Sequence, residues 1–464
     1  MRLKVFYAVT ALIIVLLCGI LVFEVVQVTA LERERRAAAD STEPESSDAP
    51  EESVPDTTES ESTQKQSPLD EAAFHAQLLD NMVRYRLDDA RALLDEAVGL
   101  WGETDFLRDE GQLLQEYTAF QEENLEEYVV LRELYNPNST RKLENFFTHC
   151  LIAFPEICYS SPAMMRSLDT DCLTPHEFVK ILENLYEKNY ILIDPQLLLT
   201  ENADGSVSLT RTLALPKGKI PCVLSVDDVT YDSRKMGMGM VDRLIVDDNG
   251  RIATLTRQNG EDVIRYDNEI FPILYDFIRS HPDFTFHGAR GTLNLTGFDG
   301  IFGYRTQSSP HGEESGFDRQ AEIASASAVA AALREEGWRF ASHSYGHYQM
   351  SALSEAAFRD DVDSWLSEVA SIVGDCDIWV WPYGDHENLR EGVRHAYLWE
   401  KGFRMFWGVG ANPYWAAEPD GLGLFSDRKM LTGQALRDER YAALYAYLYD
   451  AAEVWDPLRP KTIS

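Results

Sequence analysis

The sequence predicts an α/β domain built on a mostly parallel sheet, open or closed into a barrel. It stands behind an apolar N-terminal span, an acidic linker and a small helical region. Three observations lead there. From about residue 139, seven short β-rich runs alternate with amphipathic helical stretches. Ahead of them lie 19 uncharged residues and then a segment almost without apolar side chains. The chain has 464 residues, enough for more than one structural unit and a large core.

The uncharged run is Val5 to Phe23, preceded by Arg2 and Lys4. At about 1.5 Å rise per residue it nearly spans a hydrocarbon layer of roughly 30 Å. A cleaved signal peptide is the alternative, with Val28-Thr29-Ala30 as the cleavage site, but the run exceeds a usual signal core, so a retained anchor is expected. Arg33, Arg35 and Arg36 follow the span, so the local positive charge does not favour a cytoplasmic N-terminus. Asp40 to Thr63 holds nine acids and no Lys or Arg. Such a segment cannot bury enough surface to offset chain entropy, and self-repulsion extends it, as suits a stalk.

Residues 69–138 carry apolar side chains at helical intervals, in Phe74–Trp101 and again in Phe106–Leu134. They read as a helical spacer or protein-contact module. The expected organisation is an anchor or signal at 1–30, a disordered linker at 31–68, the helical spacer at 69–138 and the α/β domain at 139–464.

The candidate strands of that domain are Asn145–Ile152, Tyr190–Asp194, Cys222–Asp228, Phe284–Ala289, Arg339–Ser344, Ile378–Gly384 and Phe403–Val409. Thr174-Pro175-His176-Glu177 opens a helix with a capping box and Pro at the first helical position. Between 230 and 268 an insertion carries a hairpin signal at Asp247-Asp248-Asn249-Gly250, placed to form a rim over the site. In a parallel sheet or barrel, chemistry gathers at the C-terminal strand ends.

Charge narrows the function. The chain has 42 Lys and Arg against 77 Asp and Glu, a formal charge of -35. A nucleic-acid binder needs a basic face to displace counterions, and this chain lacks that balance. Acidity outlasts the linker, so an anionic polymer would need local positive contacts. The 6 Cys include no C-x-x-C pair, which excludes a zinc ribbon or a thioredoxin-type site.

Three strand ends carry unusual polar groups. Asp227-Asp228 closes the run CVLSVDD; neighbours in an extended chain point to opposite sides, so one carboxylate can ligate a metal while the other faces a reacting centre. An exposed turn with two acids is the alternative. His343-Ser344-Tyr345-Gly346-His347 follows the run RFAS, and two imidazoles four apart share a face if the loop coils. Two surface histidines are the plainer reading. Trp381-Pro382-Tyr383-Gly384 shapes a turn able to aim a backbone N–H at a developing oxyanion.

In this order, Asp-Asp, then His-x-x-x-His, then Pro-Tyr, the motifs resemble the polysaccharide deacetylase (NodB-like, carbohydrate esterase 4) family over about residues 139–464. The resemblance implies a distorted seven-stranded (β/α) barrel and one divalent metal ion, with zinc expected. By position it implies Asp228, His343 and His347 as metal ligands, Asp227 as general base and the Tyr383 N–H as oxyanion donor. The implied reaction is hydrolysis of an N- or O-acetyl group on a polysaccharide.

Three departures from the family pattern stand out. Val229 replaces a Gly after the two acids, and Val380 stands where an Arg usually orients the base. No His follows His395, so the family's late general acid is missing. His149 is the candidate for that role, with a structural histidine as the alternative. Arg305 and Arg290 are candidate replacements for the Arg. Pro382, Arg305 and Trp407 are the candidate substrate-side residues, Trp407 with Tyr414 and Trp415 offering a sugar-stacking surface against the alternative of core packing. The leading expectation is a membrane-anchored, single-pass, metal-dependent deacetylase acting outside the cell on wall or capsule glycan. A glycan-binding module without turnover and a metallohydrolase of non-sugar amides or esters are the alternatives.

Overall fold

The computed structural model describes residues 68–130, 143–160, 162–308, 317–386, 388–410 and 414–462. The apolar span Val5–Phe23 and the acidic segment 40–63 lie outside the described residues. Among the described residues no helix is long and apolar enough to cross a membrane. Residues from Pro68 onward pack as one compact unit.

Seven parallel strands close into a barrel in chain order: β1 (Glu144–His149), β2 (Ile220–Asp227), β3 (Gly291–Leu295), β4 (Trp338–Ser342), β5 (Ile378–Val380), β6 (Met405–Val409) and β7 (Leu424–Met430). Each pairs with the next, and β7 closes on β1. The ring is uneven. β4 and β5 meet only at Ser342 and Trp379, and β7 and β1 only at Lys429–Phe146 and Met430–Phe147. Tyr190–Leu192 pairs with the lower half of β2, while β3 takes its upper half. The strand at 190 is therefore real but lies outside the ring.

Two ring members replace sequence expectations. Phe284–Ala289 is a turn rather than a strand. Pro282–Phe284 forms a short 3-10 helix, and His287 takes a left-handed backbone that ends extended structure before β3. β7 was not foreseen, because LFSDRKM carries three charges and no run of β-branched residues. The stretch Phe106–Leu134 is also not one helix. It coils through 105–118 and 119–123, and Leu125–Val129 then pairs antiparallel with Thr212–Pro216, where Tyr128 is buried beneath the barrel.

Strand alternation explains the core. On β2, Leu224 and Val226 face the helical layer, while Val223 faces the lumen with Ala341, Ile378, Val380, Met405, Trp407 and Leu424. Tyr128, Val130, Ile191 and Leu215 complete this inner core at the N-terminal pole. The lumen is thus apolar at the bottom and turns polar only at the C-terminal mouth. Helices Ile270–Ser280, Arg319–Glu335, Glu355–Trp365 and Val393–Glu400 connect successive strands from β2 to β6. The insertion forms a three-stranded antiparallel sheet (243–246, 252–258, 261–265), with Leu244 and Ile252 in the outer core beside those helices, while its first turn, at Lys235, reaches the mouth.

Candidate metal centre and its carboxylate pair

At the end of β2, Asp227 still belongs to the strand and points into the lumen. Asp228 leaves it with a left-handed backbone, φ 56°. Ser344, His347 and Tyr383 share that conformation, with φ of 58°, 52° and 59°. Non-glycine residues avoid this region, so four such residues on three strand ends mark a locality held in place by its surroundings.

Asp228, His343 and His347 present ligand atoms within 4.8 Å of one another. His347 Nε2 stands 3.7 Å from Asp228 Oδ1, and that oxygen is buried with no hydrogen-bond partner among the described residues. His343 Nδ1 lies 3.0 Å from the Val380 carbonyl, which fixes the proton there and leaves Nε2 as a free electron pair. Burial pulls the His343 imidazole down to about 4, against its ordinary 6.5, so it is neutral at pH 7. An orphaned carboxylate oxygen and two imidazoles suit a divalent ion of the zinc type, and the group fits these residues.

Beside the triad, Asp227 is deeply buried and saturated on one side. Arg428 of β7 forks onto it, Nη1 to Oδ1 at 2.7 Å and Nη2 to Oδ2 at 3.0 Å. Asn294 of β3 adds a 2.5 Å bond to Oδ1. Oδ2 also faces His343 Nε2 at 3.7 Å. Burial alone would raise the carboxyl's pKa, but Arg428, His343 and His149 together reverse that and hold it well below the usual carboxylate range. Arg428 is itself fixed by Ser225 Oγ, by the Gly408 carbonyl and by its position over the Phe147 ring.

Arg428 is the group that sequence reasoning missed, and it supersedes both candidates. Arg305 is buried elsewhere and spends its guanidinium on the carbonyls of Asp299 and Tyr231. Arg290 bonds the carbonyls of Gly288 and Val83 near the N-terminal end of β3. Trp407 also fails as a stacking surface: it is 0% exposed inside the lumen core, and Trp415 is buried with it. Tyr414 is half-buried, its hydroxyl held by Arg390.

His149 ends β1 directly across the ladder from Asp227. Its Nδ1 lies 3.0 Å from the Asp171 carbonyl, which leaves Nε2 free. It lines a small cavity with Asp228 and Lys235, the latter brought in by the loop after β2. Pro382 is buried at the start of a 3-10 turn that exposes Tyr383. Among the described residues the Tyr383 N–H has no acceptor, whereas its neighbours at 384 and 385 bond back to Trp381 and Pro382. The cysteines at 150, 158, 172, 222 and 376 are free thiols.

Residues 316–396 match the family model for polysaccharide deacetylase. The structure is similar to Streptococcus pyogenes deacetylase PplD in complex with acetate, at 12% identity over 63% of this chain and 93% of that one, TM-score 0.35. It is similar also to BC0361, a polysaccharide deacetylase from Bacillus cereus, at 12% identity over 65% and 68%, TM-score 0.35. No curated protein matches the chain. The matched segment holds His343, His347 and the Pro382-Tyr383 turn, so over these residues the chain is similar to the polysaccharide deacetylase family that its motifs resemble.

Proposed function

We propose that this protein is a divalent-metal-dependent deacetylase that removes acetyl groups from a polysaccharide. The observation that carries the reading is the ionised, Arg428-held carboxylate of Asp227 beside a convergent Asp228–His343–His347 triad. Asp228, His343 and His347 would hold the metal, expected to be zinc. When bound, the ion supplies Lewis acidity that eases deprotonation of water and polarises the acetyl carbonyl.

The chain's own groups account for the rest. Asp227 takes a proton from the attacking water, whose oxygen bonds to the acetyl carbon. Arg428 keeps that carboxylate ionised and oriented, the part that the missing Arg at Val380 would have played. The unpartnered Tyr383 N–H donates to the carbonyl oxygen as negative charge builds on it. His149 delivers a proton to the leaving nitrogen, or oxygen in an ester, as its bond to the acetyl carbon breaks. Acetate and the free amine or hydroxyl result.

On the length of the Val5–Phe23 span and the acidity of the segment after it, the catalytic domain works outside the cell, tethered to a single-pass membrane anchor and acting on a wall or capsule glycan. The test is acetate release by the metal-loaded protein from chitooligosaccharide, acetylated xylan or peptidoglycan. Activity that survives Asp227→Asn would remove Asp227 from the mechanism, and an unchanged rate in His149→Ala would remove the acid. The absence of any His after His395 favours a second reading, a glycan-binding module without turnover; it predicts glycan binding with no acetate released from any of the three.

A further inference from the structure

Beside the triad lies a cleft of about 500 Å³ lined by His347, Tyr348, Gln349, Ala352, Leu353 and Tyr383. Tyr383 and Tyr348 are 66% and 54% exposed, the two most exposed aromatic side chains among the described residues. Large aromatics left in water beside a reactive centre demand an account, because burying them would be favourable.

The cleft is built rather than incidental. The Tyr383 ring meets the His347 ring edge-on at 4.5 Å. Tyr348 folds back over Gly346: a Cβ there would fall 2.1 Å from the tyrosine ring, so only glycine allows that pose. The loop between the two histidines is pinned by Asp361, which accepts the N–H groups of Tyr345 and Gly346 at 2.9 and 2.8 Å. The two walls are tied together as well. Ser351 gives both its N–H and its hydroxyl to Asp385 Oδ2, each at 2.8 Å, bridging the loop after His347 to the turn after Tyr383. Arg394 holds the Met350 carbonyl at 2.9 Å from a third element. The cleft therefore keeps its shape without a ligand, which lowers the ordering cost of binding one.

We propose that this cleft is a sugar subsite that receives the pyranose next to the acetylated residue, with Tyr348 as its stacking platform. The inference rests on the glycan reading above and deepens it. Aromatic faces pack on the C–H faces of pyranose rings, Gln349 offers both a donor and an acceptor to ring hydroxyls, and continuity with His347 sets the neighbouring unit beside the reacting one. The enzyme so built prefers chains to single sugars.

The experiment compares the full-length, metal-loaded wild type with Tyr348→Ala and Tyr348→Phe on N-acetylglucosamine and on chitin di-, tetra- and hexamers. The wild type should gain at least about tenfold in kcat/KM from monomer to tetramer. Tyr348→Ala should lose that gain, chiefly through KM, with its monomer rate and thermal midpoint unchanged, and Tyr348→Phe should keep it. Equal rate losses at every length, or no loss at any, would overturn the subsite. If the wild type releases no acetate, the deacetylase reading fails separately. Hexamer affinity, measured by calorimetry, then decides the subsite: weaker binding by Tyr348→Ala supports it, and equal binding overturns it.

Discussion

Two buried arginine–carboxylate sites differ in a way that separates chemistry from architecture. Behind the barrel, Arg459 bonds both oxygens of Glu177, Asp169 Oδ1 and the carbonyls of Asp169 and Cys172. Glu177 also accepts the Thr174 and Asp456 N–H groups, and Asp169 is forked by Arg437. Every group there is answered, so the site is a closed clamp fastening the C-terminal segment to the helices at 162–171 and 175–187. At the mouth, Arg428 answers only one side of Asp227. The other side faces His343 Nε2, and the adjacent Asp228 keeps an oxygen with no partner among the described residues. The same ion pair closes a structure in one place and leaves a carboxylate open on one side in the other, and what differs is the valence left over.

The largest expected effect falls on the open site. Asp227→Asn should lower acetate release by about 10²–10⁴-fold while metal binding persists. An isosteric change cannot break the clamp in that way, since no turnover depends on it.

The two arginines come next in size of effect. Removing either leaves a buried carboxylate unpaired, at a cost of about 3–5 kcal/mol in urea unfolding. Only Arg428→Met should also move the acid limb of the pH–rate profile, and upward, because Arg428 holds the Asp227 carboxyl low. Arg459→Met should leave that limb in place.

A third effect is the pH dependence of metal-free stability. The His343 imidazole sits at about 4 when folded and 6.5 when unfolded, so its contribution is whole above pH 6.5 and fades as pH falls toward 4. Urea midpoints of wild type and His343→Gln across that window should converge as pH falls. The smallest effect is Trp407→Phe, which should cost about 1–2 kcal/mol of stability as a lumen residue and leave the KM for oligosaccharides unchanged.

What the sequence revealed follows the range of each signal. Asp227-Asp228, His343-x-x-x-His347 and Pro382-Tyr383 were readable because each sits within a few residues at a strand end, and the alternation of strands and helices carried the parallel barrel. Arg428 was not readable, because it meets Asp227 across 201 residues through ring closure. Its strand had one signal, Leu424, Ser426, Arg428 and Met430 alternating with Phe425, Asp427 and Lys429, which charge content obscured. FTFHGA misled in the opposite sense: high β propensity lost to the left-handed turn at His287 and Gly288 that feeds β3. Trp407 looked like a sugar platform because a sequence does not say which side of a strand faces a filled lumen, whereas the platform proposed above at Tyr348 depends on a glycine two residues away.

The most direct measurement is a cobalt(II) or zinc titration of the full-length protein and of Asp228→Ala, His343→Ala, His347→Ala and Asp227→Asn. One ion should bind per chain. Each of the three triad variants should lose more affinity than the roughly 10–100-fold that removal of an outer partner costs, while Asp227→Asn stays within that range. Wild-type affinity in any of the three triad variants would rule out Asp228, His343 and His347 as the ligand set.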